Sequence, residues 1–121
     1  MSLHATPKPI LFLLPARFED GQLPGQDFFC RHSLLLEGAL ASIEGLRDQL
    51  DVRHIGFERP RHALARELGE DSDQSLPKLV LPATTASNGT PHDAGHRRVI
   101  SGAEAILTAL ADLLRIPVAH P

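Results

Sequence analysis

Five apolar residues in an unbroken row, Ile10-Leu11-Phe12-Leu13-Leu14, stand between Pro9 and Pro15. A strand with one wet face alternates apolar and polar side chains, and this short run does not alternate. It predicts a strand buried on both faces, at the centre of a sheet that helices cover on each side. The other elements have to be arranged around it.

Residues 1–8 hold Pro7 and read as a flexible lead-in. Residues 15–29, rich in Pro, Gly, Asp and Gln, read as a long loop of the kind that carries function. From Cys30 the period becomes helical. Leu36, Ala39, Leu40, Ile43, Leu46 and Leu50 form one stripe, with Glu37, Glu44 and Asp48 opposite. Gly38 and Gly45 interrupt it at about 1 kcal/mol each relative to alanine. A closely approaching backbone is the expected reason for a glycine there.

Val52 to Phe57 reads as a second strand. Pro60 opens a short helix over Arg61 to Leu68, which Gly69 closes. Lys78 to Leu81 is a third strand, and residues 82–95 form a second long polar loop. His96 to Ile100 completes the sheet as a fourth strand. Ile106, Leu107, Leu110, Leu113 and Leu114 then mark a core-facing helix that Pro117 ends. Ser101-Gly102-Ala103-Glu104 reads as its capping box, with serine at the cap and glutamate three residues on. The expected architecture is α/β, a four-stranded mixed sheet built as βαβ then ββα, in one domain over residues 1–121.

A net charge of −3 with scattered basic residues predicts neither nucleic acid nor an anionic membrane as partner. No apolar run approaches the ~20 residues a membrane helix needs, and no leader pattern follows the first one. A single cysteine excludes an internal disulfide and fits a reducing cytoplasm.

That cysteine, Cys30, falls where the first loop gives way to the first helix. Unpaired N–H groups and the helix dipole favour a thiolate at such a point. Cys30 is therefore either a nucleophile, helped by Arg31 and His32, or a free cysteine that simply packs. Ser33 either bonds the thiolate or satisfies backbone donors at the helix start. Phe28 and Phe29 pack the loop beside Cys30 or line a groove. His92, Asp93 and His96 lack a further committed ligand, so they read as a polar loop and no metal site is expected.

Three segments in order carry a family resemblance. Cys30-Arg31-His32-Ser33 lies where thioredoxin-like proteins place a C-x-x-C or C-x-x-S motif. Ser75-Leu76-Pro77-Lys78-Leu79 is similar to their S/T-x-P-x-L segment. Ile100 to Ile106 is similar to the run opening the last glutaredoxin helix. Across roughly residues 9 to 116 the chain resembles glutaredoxins and the N-terminal domains of glutathione transferases. It also looks like an uncharacterised bacterial domain family with this fold. It departs from them in its two long loops, in lacking a proline after Cys30, and in lacking the transferase Glu-Ser pair. Cys30 and Ser33 match the ends of the monothiol glutaredoxin motif Cys-Gly-Phe-Ser, but Arg31 and His32 do not match its middle.

The resemblance implies a glutathione-dependent monothiol oxidoreductase or transferase-like activity. Cys30 would be the nucleophile, with Ser33 and Arg31 stabilising its thiolate. Leu76 and a cis Pro77 would form the ledge for substrate, and Ser101 and Glu104 would meet glutathione, the co-substrate. No resident cofactor is implied. The capping box explains Ser101 and Glu104 equally well without a ligand. The competing expectation is a thioredoxin-fold binding module without catalysis.

Overall fold

A computed structural model describes residues 7–69, 72–82, 92–94 and 97–121. The apolar run forms β1 (Ile10–Leu13), every residue of it buried. It lies inside the sheet. On one side it pairs in parallel with β4 (Asp51–His54), and on the other antiparallel with β5 (Lys78–Leu81). Next comes β7 (Arg97–Ser101), antiparallel to β5, with Lys78 opposite Ser101. A parallel β1–β4 pair demands a crossover. Helix α1 (Arg31–Ser42) and a 3₁₀ turn at Arg47–Gln49 supply it.

The order β4-β1-β5-β7 is the expected four-stranded mixed sheet, in the thioredoxin-like layout. A fifth strand, β6 (His92–Ala94), extends it along the outer edge of β7. That strand falls inside the stretch expected to be loop; residues 83–91 of the same stretch lie outside the described residues. The first loop also holds structure. Within it β2 (Phe18–Glu19) and β3 (Asp27–Phe28) pair as a small separate hairpin. Its tip is turned by Asp20, whose carboxylate accepts from the N–H of Gln22, and by Gly25 at φ 86°.

Alternation along the buried strands sorts side chains to two cores. Leu11, Leu13, Leu79, Leu81 and Ile100 face α1 and α3 (Ala103–Leu114), meeting Leu36, Leu40, Ile106 and Leu110. Ile10, Phe12, Val80 and Val99 face the other way, against Leu64 and Leu68 of α2 (His62–Leu68). Each of these large side chains, fully buried, contributes roughly 1.5–3 kcal/mol. Helices therefore cover both faces.

The helical stripe expected to run to Leu50 stops at Ser42. Ile43 turns extended as C-cap, and Gly45 takes φ 80°, which no continuing helix tolerates. Leu46 and Leu50 still reach the core, from the turn rather than from a helix. Close packing does not explain the two glycines, since a Cβ on Gly38 or Gly45 would meet nothing within 4 Å. The second helix starts one residue late, with Arg61 as N-cap after a cis Arg59–Pro60 bond, and ends at Gly69 as expected. The last helix ends on Arg115 in the left-handed region, before Pro117 is reached.

Candidate functional site

Cys30 is the N-cap residue of α1, extended at φ −89° and ψ 118°. The N–H of Ser33 donates to its Sγ at 3.4 Å, so the sulfur takes the place an N-cap oxygen usually holds. The residue is half-buried. Arg31 and His32 are exposed on the first turn. Ser33 is buried, and its role differs from both expectations. Its hydroxyl accepts a hydrogen bond from the N–H of Leu14 at 3.1 Å and so fastens the helix to the end of β1. The backbone of Ser33 touches the sulfur, while its side chain serves the strand.

The hairpin leading into Cys30 is held by aromatic stacking. Phe18 lies 4.6 Å from Phe57, nearly parallel at 10°, and 6.4 Å from Phe28. Phe28 thus packs the loop as expected. Phe29 stays exposed beside Cys30. Behind this stack is Arg61, only 5% exposed. Its guanidinium donates twice to the carbonyl of Phe57, at 3.2 and 2.7 Å, and once to the carbonyl of Gln74. Its backbone N–H donates to the Gln74 side chain at 2.8 Å.

Gln74 leads into the second part of the site. The Leu76–Pro77 peptide is cis, as the resemblance implied. With Ser75 it forms one wall of a groove of about 570 Å³. Ser101 to Ala105 form the opposite wall, and His32 and Leu35 of α1 close one side. The carbonyl of Pro77 accepts from Gly102, joining the two walls. Among the described residues, no backbone group bonds the N–H or C=O of Leu76.

Leu76, Pro77, Ser101 and Glu104 are therefore gathered in one place. Cys30, Arg31 and Ser33 are not among the residues lining that groove. His32 connects the two sets, standing two residues from the sulfur and on the groove wall.

The expected capping box is not formed. Gly102, at φ 92° and ψ 142°, is the N-cap of α3, and no side chain caps it. Ser101 belongs to β7, where its hydroxyl accepts from Lys78 Nζ at 2.9 Å. Helix α3 begins one residue too late for Ser101 to reach it. Glu104 is exposed in the first turn, facing the groove without a capping partner.

Sequence reasoning overlooked Lys78, which is buried beneath the groove. Its ammonium reaches the hydroxyls of Ser75 (3.2 Å) and Ser101 (2.9 Å) and the carboxylate of Asp73 (3.3 Å). The hydroxyl and N–H of Ser75, more than the lysine, hold the Asp73 carboxyl down at about 2. A lysine in an otherwise apolar strand was a usable signal. Arg61 offered none, because the arginines of this chain look alike in sequence. No group of side chains able to hold a metal is found among the described residues. His92 and Asp93 lie in β6, and His96 is outside the described residues. Among the described residues, no helix is long and apolar enough to cross a membrane.

Sheet order, crossover and helix placement make this a mixed α/β domain of thioredoxin-like layout, with a cysteine-capped helix beside a groove. The chain belongs to the family described as Protein of unknown function (DUF3088), which it matches over residues 8–118. No curated protein and no solved structure matches it.

Proposed function

We propose that this protein is a monothiol, glutathione-dependent thiol–disulfide exchange protein or transferase-like relative, with Cys30 as its nucleophile. The reading is carried by Cys30 capping α1 with its sulfur, where the Ser33 N–H and the helix dipole both favour negative charge. The groove supplies the rest. Leu76 offers backbone to an extended thiol or peptide, and the first N–H groups of α3 suit a carboxylate. Glu104 suits the ammonium of the same ligand. Arg31 adds positive charge on the first turn of α1.

In the proposed cycle, the Cys30 thiolate attacks the glutathione sulfur of a mixed disulfide and forms Cys30–S–S–glutathione. The substrate leaves as a thiolate and takes up a proton from water. Ser33 supplies no second sulfur, so a glutathione thiolate from solution attacks the bound glutathione sulfur. Glutathione disulfide departs and Cys30 returns as thiolate. Two electrons pass from glutathione to the substrate. Such chemistry belongs in a reducing compartment, which is why we favour the cytoplasm.

Intact-mass analysis after incubation with glutathione disulfide tests this. The expected result is one glutathione adduct, placed on Cys30, absent in Cys30→Ser and reversed by glutathione. A protein that takes no adduct contradicts the proposal. One observation favours a second reading. Because Cys30 does not line the groove, the groove can serve a non-catalytic binding module, which would bind an extended peptide identically in wild type and Cys30→Ser.

A further inference from the structure

Strand β4 (Asp51–His54) ends the five-stranded sheet, and among the described residues it has a strand partner on one side only, β1. The N–H groups of Asp51 and, just beyond the strand, of Ile55 donate to the carbonyls of Pro9 and Leu13, so these alternate residues turn their backbone inward. Successive backbone groups of a strand point to opposite sides, which leaves the N–H and C=O of Val52 and His54 directed out of the sheet. No backbone group among the described residues bonds them. Asp51 and Arg53 lie on the face that α2 covers. Arg53 bonds Asp51 at 3.1 and 2.7 Å and reaches Glu67 of α2 at 3.4 Å. Their side chains remain 41% and 44% exposed, open to a further partner. An edge strand is commonly guarded by lysine or another charge that a second copy of itself would repel. This edge carries both signs, two residues apart, and that pattern complements itself when the strand is reversed.

We propose that β4 is a self-association edge, on which a second copy of this chain pairs antiparallel about a two-fold axis at Val52. Charge selects the register. With Val52 opposite Val52 of the partner subunit, Asp51 faces Arg53 of the partner subunit, and Arg53 faces the partner's Asp51. An axis at Arg53 would set arginine against arginine, and one at Asp51 would set aspartate against aspartate. An axis at His54 would leave both charges opposite apolar residues, Phe57 and Ile55. The Val52 register also suits the backbone. The outward-facing Val52 pair exchanges both of its hydrogen bonds, and the Asp51–Arg53 pairs fall at the non-bonded positions, where Cα atoms approach to about 4.5 Å and side chains come closest. Acid and base then alternate around a ring shared by the two subunits. Lys8 and Glu67 add one charge of each sign beside it. On the opposite face Glu37 is engaged by His54 and Arg47. No excess of one sign therefore opposes the contact, which is self-complementary as a two-fold interface must be. The proposal does not depend on the chemistry of Cys30.

The test is sedimentation velocity of wild type, of Asp51→Arg, of Arg53→Asp, and of a one-to-one mixture of the two variants. Wild type is expected to sediment as a dimer at about 100 μM and to dissociate on dilution. Each variant alone sets like charges opposite one another twice, so it should dimerise about tenfold more weakly or worse. In the mixture one chain carries two arginines on the edge and the other two aspartates, so a heterodimer should form where neither variant associates with itself. Wild type that stays monomeric at about 100 μM overturns the proposal. A dimer that either variant leaves intact also overturns it, since the contact then lies on another face. A mixture that stays monomeric contradicts the register and overturns it as well. Should either variant fail to fold, Arg53→Gln decides. Dimerisation weaker by about threefold or more supports the pairing, and unchanged affinity overturns it.

Discussion

The hydroxyl of Ser33 accepts the N–H of Leu14 at 3.1 Å, across nineteen positions of sequence. Both residues are buried, so this one bond fixes where the first turn of α1, and Cys30 with it, sits against the end of β1. Ser33→Ala leaves a buried N–H unsatisfied and should destabilise the fold by about 1–3 kcal/mol. Denaturant unfolding measures this. Unchanged stability would show that the hydroxyl has another principal task.

Asp73 gives a pH signature. Its folded carboxyl lies at about 2, below the ordinary value of 3.8. A depressed acid stabilises the fold above its unfolded value, and the contribution is lost as pH falls through the folded one. Asp73→Asn should therefore be less stable than wild type at about pH 6, with the gap closing between about pH 4 and pH 2. The side chain is 71% exposed, so solvent screening keeps the gap under about 1 kcal/mol. Paired thermal melts across that range check it; a gap that persists at low pH would contradict the assignment.

Two backbone positions at the ends of α3 should respond oppositely. Gly102, at φ 92° and ψ 142°, occupies a region that side chains rarely enter. Gly102→Ala should cost about 1–3 kcal/mol and disturb the groove wall. Arg115 is exposed at φ 59°, where glycine is at ease. Arg115→Gly should leave stability unchanged or raise it by up to about 1 kcal/mol. Melting temperatures that move the other way would mean the helix boundaries are misplaced.

Much of this fold was legible from the run Ile10 to Leu14. A strand buried on both faces requires two helical layers, and the later apolar stretches fell into place around it. The errors came where one residue outweighs a pattern. Helix α1 ended with Ile43 extended although the apolar stripe continued, and Gly45 at positive φ then turned the chain away from the helical path. Ser101 had the spacing of a cap but was claimed by the strand, where Lys78 bonds it. The hairpin at Phe18 and Phe28 was missed because each strand is two residues long, too short for alternation to register. The place of Cys30 at the head of α1 and the cis Leu76–Pro77 peptide were legible, whereas the cap of α3 fell one residue later than expected. That Cys30 is not among the residues lining the groove, and that Arg61 bonds both Phe57 and Gln74, depends on contacts that sequence spacing does not encode.

The central claim is that the fold activates Cys30 rather than merely containing it. Its alkylation rate at about pH 7, in native protein and in the same protein unfolded by urea, tests that claim most directly. Partial burial alone makes a folded thiol slower than an unfolded one. Activation at the helix cap predicts the reverse, with native protein labelled faster than unfolded protein. Native labelling slower than unfolded would contradict the account, leaving Cys30 as a packed side chain at the head of a helix.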